Sequence, residues 1–226
     1  MIVYLNIFFG QPLYIKLYFQ EHHSYNGMYY VKERGIHINI LWDFDGTLFN
    51  TYPALVKGFI HLSGNDLDPS EVLKWLKVNS KVAFQHYGID ESKREEYIKL
   101  YNQYSTDSRP FEQLEEVLRI ADDNFIVTHR DKESTLFLLE KFKLLHYFKV
   151  VVSVEEEGFE RKPHAASYQH VIKDYPIDLV IGDRELDLIP ARELGIKTVA
   201  FENPEIEADF HIDNYTDFRT NVLPYL

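Results

Sequence analysis

From residue 38 onward, short apolar runs take turns with stretches of helical spacing. Ile38-Asn39-Ile40-Leu41-Trp42 is rich in β-branched and aromatic residues and predicts a buried strand. The segment that follows, Thr51 to Ser108, has helical spacing throughout. Ala54, Leu55, Gly58, Phe59 and Leu62 share one helical face. Asp68-Pro69-Ser70-Glu71 is a helix start with proline at the first helical position, and Val72, Leu73, Leu76 and Val82 continue it as an apolar stripe. Glu91 to Tyr104 predicts a third helix, with Tyr97, Leu100, Tyr101 and Tyr104 along one side. Strand and helix then alternate. Strands fall at Phe125–Val127, Phe148–Ser153, Leu179–Ile181 and Thr198–Phe201, and helices run from Asp131 to about Phe142, over His164–Lys173 and over Leu186–Leu194. Such alternation predicts an α/β fold, a Rossmann-like parallel sheet flanked by helices, with a helical insert after its first strand.

The polar residues that end these runs carry the chemistry. Trp42-Asp43-Phe44-Asp45-Gly46-Thr47-Leu48-Phe49 places two carboxylates one residue apart where the first strand stops. Side chains two apart on an extended chain share a face, so Asp43 and Asp45 are placed to enter one site. Two anions that close repel, and a divalent cation or a bound proton resolves the conflict. Gly46 lets the backbone turn, and Thr47 adds a hydroxyl. Ligands of open α/β sheets bind at the carboxyl ends of the strands, so Asp43, Asp45, Asp183 and Asp187 are expected to concentrate up to four negative charges in one site, with Lys162 beside them. Oxygen ligands of this kind suit Mg²⁺, and a lysine supplies charge for phosphate oxygens. Taken singly, Thr128 reads as a strand-end or capping residue, Lys162 as a solvated lysine and Asp187 as a helix cap. Arg184 and Glu185 read as a surface pair or as support behind the site.

The run Asp43-Phe44-Asp45-Gly46-Thr47-Leu48 resembles the first motif of the haloacid dehalogenase superfamily, most members of which are aspartate-nucleophile phosphatases. Asn124-Phe125-Ile126-Val127-Thr128 resembles the second motif, Glu160-Arg161-Lys162-Pro163 the third, and Gly182-Asp183 with Asp187 the fourth. The resemblance spans roughly Ile38 to Phe201 and is closest to phosphoglycolate phosphatase-like enzymes with a small helical cap. It implies that Asp43 is the nucleophile and Asp45 the acid and base. It implies that Thr47, Thr128, His129 and Lys162 bind substrate. Mg²⁺ would be held by Asp43, the backbone carbonyl of Asp45 and Asp183, with Asp187 in support. His129 stands where the family often has Asn, and Ala165 replaces a frequent second proline; these departures touch substrate positioning rather than charge. Asp45 argues against a dehalogenase, whose halide leaving group needs no proton.

The implied domains are an amino-terminal extension (1–37), a catalytic core (38–50 plus 109–213), a helical cap (51–108) and a carboxy-terminal tail (214–226). In the extension, Ile2 to Phe19 is aromatic and apolar but is broken by Asn6, Gly10, Gln11, Pro12 and Lys16, so it lacks the span of a membrane helix. It also lacks the pattern of a signal peptide. It reads either as a docking arm or as upstream sequence, with translation starting at Met28. The net charge of −12 argues against nucleic-acid or anionic-membrane partners. The absence of cysteine excludes disulfides and thiolate catalysis, and it is compatible with the cytoplasm. The expected partner is a small phosphorylated metabolite, acted on by a monomer or homodimer. The alternatives within the superfamily are a phosphomutase or a phosphonate hydrolase. The latter uses a cap lysine as a Schiff base, and Lys57, Lys74, Lys77, Lys81, Lys93 and Lys99 supply candidates. A non-catalytic binding or regulatory module on the same scaffold is the alternative from another class.

Overall fold

The computed structural model describes residues 37–226; the docking-arm and Met28 readings lie outside them. Six parallel strands form one sheet in the order β3-β2-β1-β4-β5-β6. They are β1 (Asn39–Trp42), β2 (Asp123–Thr128), β3 (Phe148–Ser153), β4 (Leu179–Gly182), β5 (Lys197–Phe201) and β6 (Phe210–Ile212). The chain leaves β1 on one side to build β2 and β3 and returns on the other to build β4, β5 and β6. This reversal of strand order beside β1 is where a doubly wound sheet opens its crevice.

Alternate residues of each strand point to opposite faces. Ile40, Trp42 and Ile126 join one buried layer with Phe44, Phe49 and Leu118. Leu41, Phe125 and Val127 join the other, with Tyr168, Val171 and Leu188. The helices that cover the sheet are α5 (Leu114–Ile120), α6 (Lys132–Lys141), α7 (Ala166–Asp174) and α8 (Glu185–Glu193). Neither α5 nor β6 is among the elements predicted from the sequence, since each is short. Residues 214–226, read as a tail, contribute Tyr215, Phe218 and Val222 to the first layer. They are structurally part of the core.

Between β1 and α5 lie α1 (Tyr52–Ser63), α2 (Pro69–Val78), α3 (Ser80–His86) and α4 (Arg94–Ser105). These helices bury an apolar cluster of their own, built on Phe59, Val72, Leu76, Phe84 and Tyr97. The stripe expected to run on to Val82 is broken at Asn79, whose backbone is extended (φ −175°, ψ 141°). Asn79 then caps α3 by accepting from the Lys81 N–H. Ala83 and Phe84 are buried in place of Val82. No helix among the described residues is long and apolar enough to cross a membrane.

Candidate active site

Asp43 and Asp183 directly follow β1 and β4, Asp45 lies in the loop after β1, and Asp187 lies in the first turn of α8. The Asp43 N–H donates to Ile181 O at 3.0 Å, which carries the β1–β4 pairing one residue past β1 and fixes the direction of the side chain. Behind it the chain folds back on itself, with Gly46 N–H donating to Phe49 O at 2.8 Å. Gly46 has φ +83°, and a Cβ there would lie 2.2 Å from the Tyr52 ring, so only glycine fits. Gly182 is required for a different reason. A Cβ on it would lie 2.6 Å from the Cβ of Asp187, which packs directly over the strand end.

Asp43, Asp183 and Asp187 form one buried cluster whose ligand oxygens lie within 4.8 Å of one another. Lys162 reaches in from the loop before α7. Its Nζ stands 2.6 Å from Asp43 Oδ1 and 2.5 Å from Asp187 Oδ1, and donates to Val127 O at 3.1 Å. The other Asp43 oxygen, Oδ2, is buried with no hydrogen-bond partner. Burial, then the charge of Asp187, pushes the Asp43 carboxyl up to about 7 against the pull of Lys162 and Arg184. Burial also opposes charge on Asp187, but Arg184 and Lys162 outweigh it and hold its carboxyl below the usual range. Burial disfavours the Lys162 ammonium too; Asp187 and Asp43 outweigh that and raise it above the ordinary lysine value. An unpaired oxygen amid three carboxylates is what a divalent cation completes, and an all-oxygen donor set suits a hard one.

Asp45 stands apart from this cluster. Its Oδ1 accepts from Tyr101 of α4 at 2.6 Å, and Arg130 Nη1 lies 3.5 Å away. Its carboxylate is 20 % exposed where that of Asp43 is 1 %. Its side chain is therefore not one of the three clustered carboxylates. Thr47 lies beside Asp183, with its hydroxyl 3.5 Å from Oδ1. Thr128 ends β2, and its hydroxyl accepts the Arg130 N–H at 3.0 Å, shaping the turn that follows. Both ring nitrogens of His129 are buried without a partner. Burial, then the charges of Lys162, Arg161 and Arg184, keeps that ring neutral, well below its ordinary pKa.

Besides Tyr101, other residues that contact the site are absent from the predicted set. Lys77 of α2 donates to Asp183 Oδ2 at 3.0 Å, and Tyr52 at the start of α1 donates to the same oxygen at 2.6 Å. Arg130 is buried under the Tyr101 ring, 4.6 Å from its centroid, and donates to Ser105 Oγ at 2.6 Å. Arg184 is no surface residue: its guanidinium turns into the carboxylate cluster, while Glu185 faces outward to Arg192 at 3.5 Å. The signal for Arg130 was its place two residues after Thr128. For Lys77 no sequence signal separates it from the other lysines of the insert. Two surface clefts of about 460 and 270 Å³ are lined at the opposite edge of the sheet, by residues at the starts of β2 and β3 and of β4 and β5. They contain none of these residues.

The sequence profile of haloacid dehalogenase-like hydrolases matches residues 40–201, from β1 through β5. The chain belongs to this family. Among the curated relatives of this haloacid dehalogenase-like hydrolase is the pyrophosphatase PpaX of Bacillus thuringiensis (strain Al Hakam). It is 27% identical, with 83% of this chain and 95% of PpaX covered. A hydrolase from Streptococcus pneumoniae is 28% identical at a TM-score of 0.53, with 72% of this chain and 91% of that one covered. A phosphoglycolate phosphatase candidate from Lactobacillus plantarum shares the fold at a TM-score of 0.70 and 16% identity, covering 81% of this chain and 98% of that one.

Proposed function

We propose that this hydrolase is a Mg²⁺-dependent phosphatase that cleaves a small phosphomonoester through an aspartyl-phosphate. The observation that supports this reading best is the division of labour between the two motif aspartates. Asp43 lies in the buried cluster with one oxygen on Lys162 and the other unpartnered, while Asp45 is held outside it by Tyr101. Asp43 is the nucleophile: one of its oxygens bonds to phosphorus as the bond to the ester oxygen breaks. Asp45, in its acid form, gives its proton to that leaving oxygen and releases the alcohol. It then takes a proton from water as the water oxygen attacks the aspartyl-phosphate, which frees phosphate and restores Asp43. Lys162, Thr47, Thr128 and the neutral His129 ring are the candidate contacts for phosphoryl oxygens. Asp43 and Asp183, with Asp187 in support, would hold Mg²⁺, which would supply charge neutralisation for the phosphoryl oxygens.

The helices of 51–108 are the proposed cap, and through Tyr52, Lys77 and Tyr101 they touch the carboxylates directly. The reading makes this a cytoplasmic enzyme, a monomer or homodimer, acting on a small phosphorylated metabolite with neither nucleic acid nor membrane as a partner. Because PpaX is a pyrophosphatase, inorganic pyrophosphate belongs in the substrate panel beside small phosphomonoesters. The test is phosphate release from that panel with Mg²⁺, with EDTA, and with the folded Asp43→Asn protein. Release abolished by both controls is the expected result. Full activity of Asp43→Asn would end this reading.

A further inference from the structure

The residue directly after a candidate metal aspartate is an arginine. Arg184 leaves the end of β4 with extended backbone (φ −123°, ψ 150°) immediately before α8. Its side chain bends back over the cluster, hydrogen-bonds Asp187 and comes within ion-pairing range of Asp43 and Asp183. Nε stands 3.2 Å from Asp187 Oδ2 and 4.0 Å from Asp183 Oδ1, and Nη2 stands 3.9 Å from Asp43 Oδ2. That Asp43 oxygen is the buried one without a hydrogen-bond partner. The guanidinium thus lies within 4.0 Å of the three oxygens that would face a divalent cation, and the Arg184 side chain is only 16 % exposed.

The charges around it explain why a cation is needed there. Three buried carboxylates face one buried lysine, Lys162, and Lys162 engages Asp43 and Asp187 on their other oxygens. Lys77 and Tyr52 take the far oxygen of Asp183. No lysine among the described residues reaches the other oxygens, Asp43 Oδ2, Asp183 Oδ1 (which has the Thr47 hydroxyl at 3.5 Å) and Asp187 Oδ2, and these are the ones Arg184 approaches. Without it this corner would hold uncompensated charge, which is costly inside a protein.

We infer that Arg184 is a built-in counter-cation of the metal site: it balances the cluster in the metal-free protein, gives up Asp43 and Asp183 when a divalent ion enters, and so sets metal affinity. The inference rests on the reading that the cluster takes Mg²⁺. An arginine that merely anchored α8 through Asp187 would leave metal affinity unchanged on removal. A competing cation makes the opposite prediction, because a positive charge within about 4 Å of the ligands repels the incoming ion strongly in a poorly solvated site.

The experiment is Mg²⁺ titration by calorimetry, with thermal unfolding of the same samples, on full-length wild type, Arg184→Ser and Arg184→Lys stripped of metal. Arg184→Ser is expected to bind Mg²⁺ about tenfold tighter or more, to unfold at a lower temperature without metal, and to gain more from added Mg²⁺ than wild type does. Arg184→Lys keeps the charge, and its affinity is expected to stay within about threefold of wild type. Should the serine variant fold only with Mg²⁺ present, stripping it with graded EDTA reads the same affinity, and a tighter hold than wild type supports the inference. Equal or weaker Mg²⁺ binding by Arg184→Ser overturns it. That outcome leaves the phosphatase reading standing, since phosphate release with Asp43→Asn and EDTA controls measures it separately. No Mg²⁺ binding by any of the three proteins overturns both.

Discussion

Replacing Lys162 by methionine is the sharpest test of how this site is held together. The ammonium is fully enclosed and lies within 2.6 Å of two carboxylates that are themselves 1 % and 0 % exposed. It is also the only hydrogen-bond donor to the Asp43 side chain among the described residues. Methionine keeps much of the volume and removes the charge. Breaking a buried pair by deleting one partner costs about 3–5 kcal/mol. Arg184, 3.2 Å from Asp187, remains as partial compensation, so the lower end, about 3 kcal/mol at pH 7, is expected. The Asp43 carboxyl, raised to about 7, adds stability to both proteins as pH falls from 7 to 5, so the sign of the pH dependence of the gap between them follows from Asp187. Its carboxyl lies below the usual range in the folded wild type, so its contribution is present above the unfolded value of about 4 and is lost only as pH falls through the folded value. Without the ammonium, burial pushes the same carboxyl upward, and the variant regains stability as pH falls from 7 towards 5. The gap between variant and wild type therefore narrows over that interval. Urea unfolding in EDTA at both pH values measures it. A loss below about 1 kcal/mol at pH 7, or the same loss at both pH values, would refute the argument that Lys162 offsets buried charge.

The remaining predictions test the surroundings of the site. Tyr101→Phe removes the 2.6 Å hydrogen bond to Asp45. A bond to a charged group contributes about 1.5–3 kcal/mol, so kcat is expected to fall about tenfold to a hundredfold with the fold intact, and an unchanged kcat would deny Tyr101 any part in placing Asp45. Gly182→Ala sets a Cβ against Asp187 at 2.6 Å. The overpacking costs about 1–3 kcal/mol, read as a lowered melting temperature, and weakens Mg²⁺ binding; wild-type values for both would show that Asp187 can move freely. Asn124→Leu strands the Trp42 indole N–H (2.9 Å) and the Leu118 carbonyl (3.0 Å). It should cost about 2–5 kcal/mol in chemical denaturation and leave kcat of the folded fraction within about threefold, because Asn124 sits at the start of β2, away from the carboxylates.

What could be read from the sequence follows a physical division. The sheet and the positions of Asp43 and Asp183 were legible because backbone geometry decides them: a short apolar run ends, and the next polar residue leaves the strand at a known edge. Thr128 and Asp187, which singly read as caps, were legible only through the set of motifs they complete. Lys162 singly reads as a solvated lysine, and it was legible only through its place between the second and fourth motifs of the family it resembles. The break at Asn79 was hidden because its cause is a local side-chain to backbone bond to Lys81 that helical spacing does not register. The packing of Tyr215 and Phe218 was hidden because short turns carry no periodicity to find.

The long cations were the least legible, and the reason is general. Arg184 and Glu185 are adjacent and of opposite charge, which reads either as a surface pair or as support behind the site, and nothing in the sequence decides which residue goes where. Yet neighbours at a strand-to-helix junction point in different directions, so Glu185 meets Arg192 outside while Arg184 meets three carboxylates inside. A lysine or arginine side chain spans enough distance to reach either destination, and the choice belongs to whichever buried charge would otherwise stand alone. The same argument selects Lys77 from the lysines of the insert. Asp183 needs a donor on its outer oxygen, and α2 delivers Lys77 Nζ to 3.0 Å while the ring of Tyr52 supports it at 4.5 Å. Lys57, by contrast, settles over Tyr104 at 4.2 Å. The acidic motifs thus specify not only a cluster of carboxylates but also which cations of the rest of the chain turn inward to meet them.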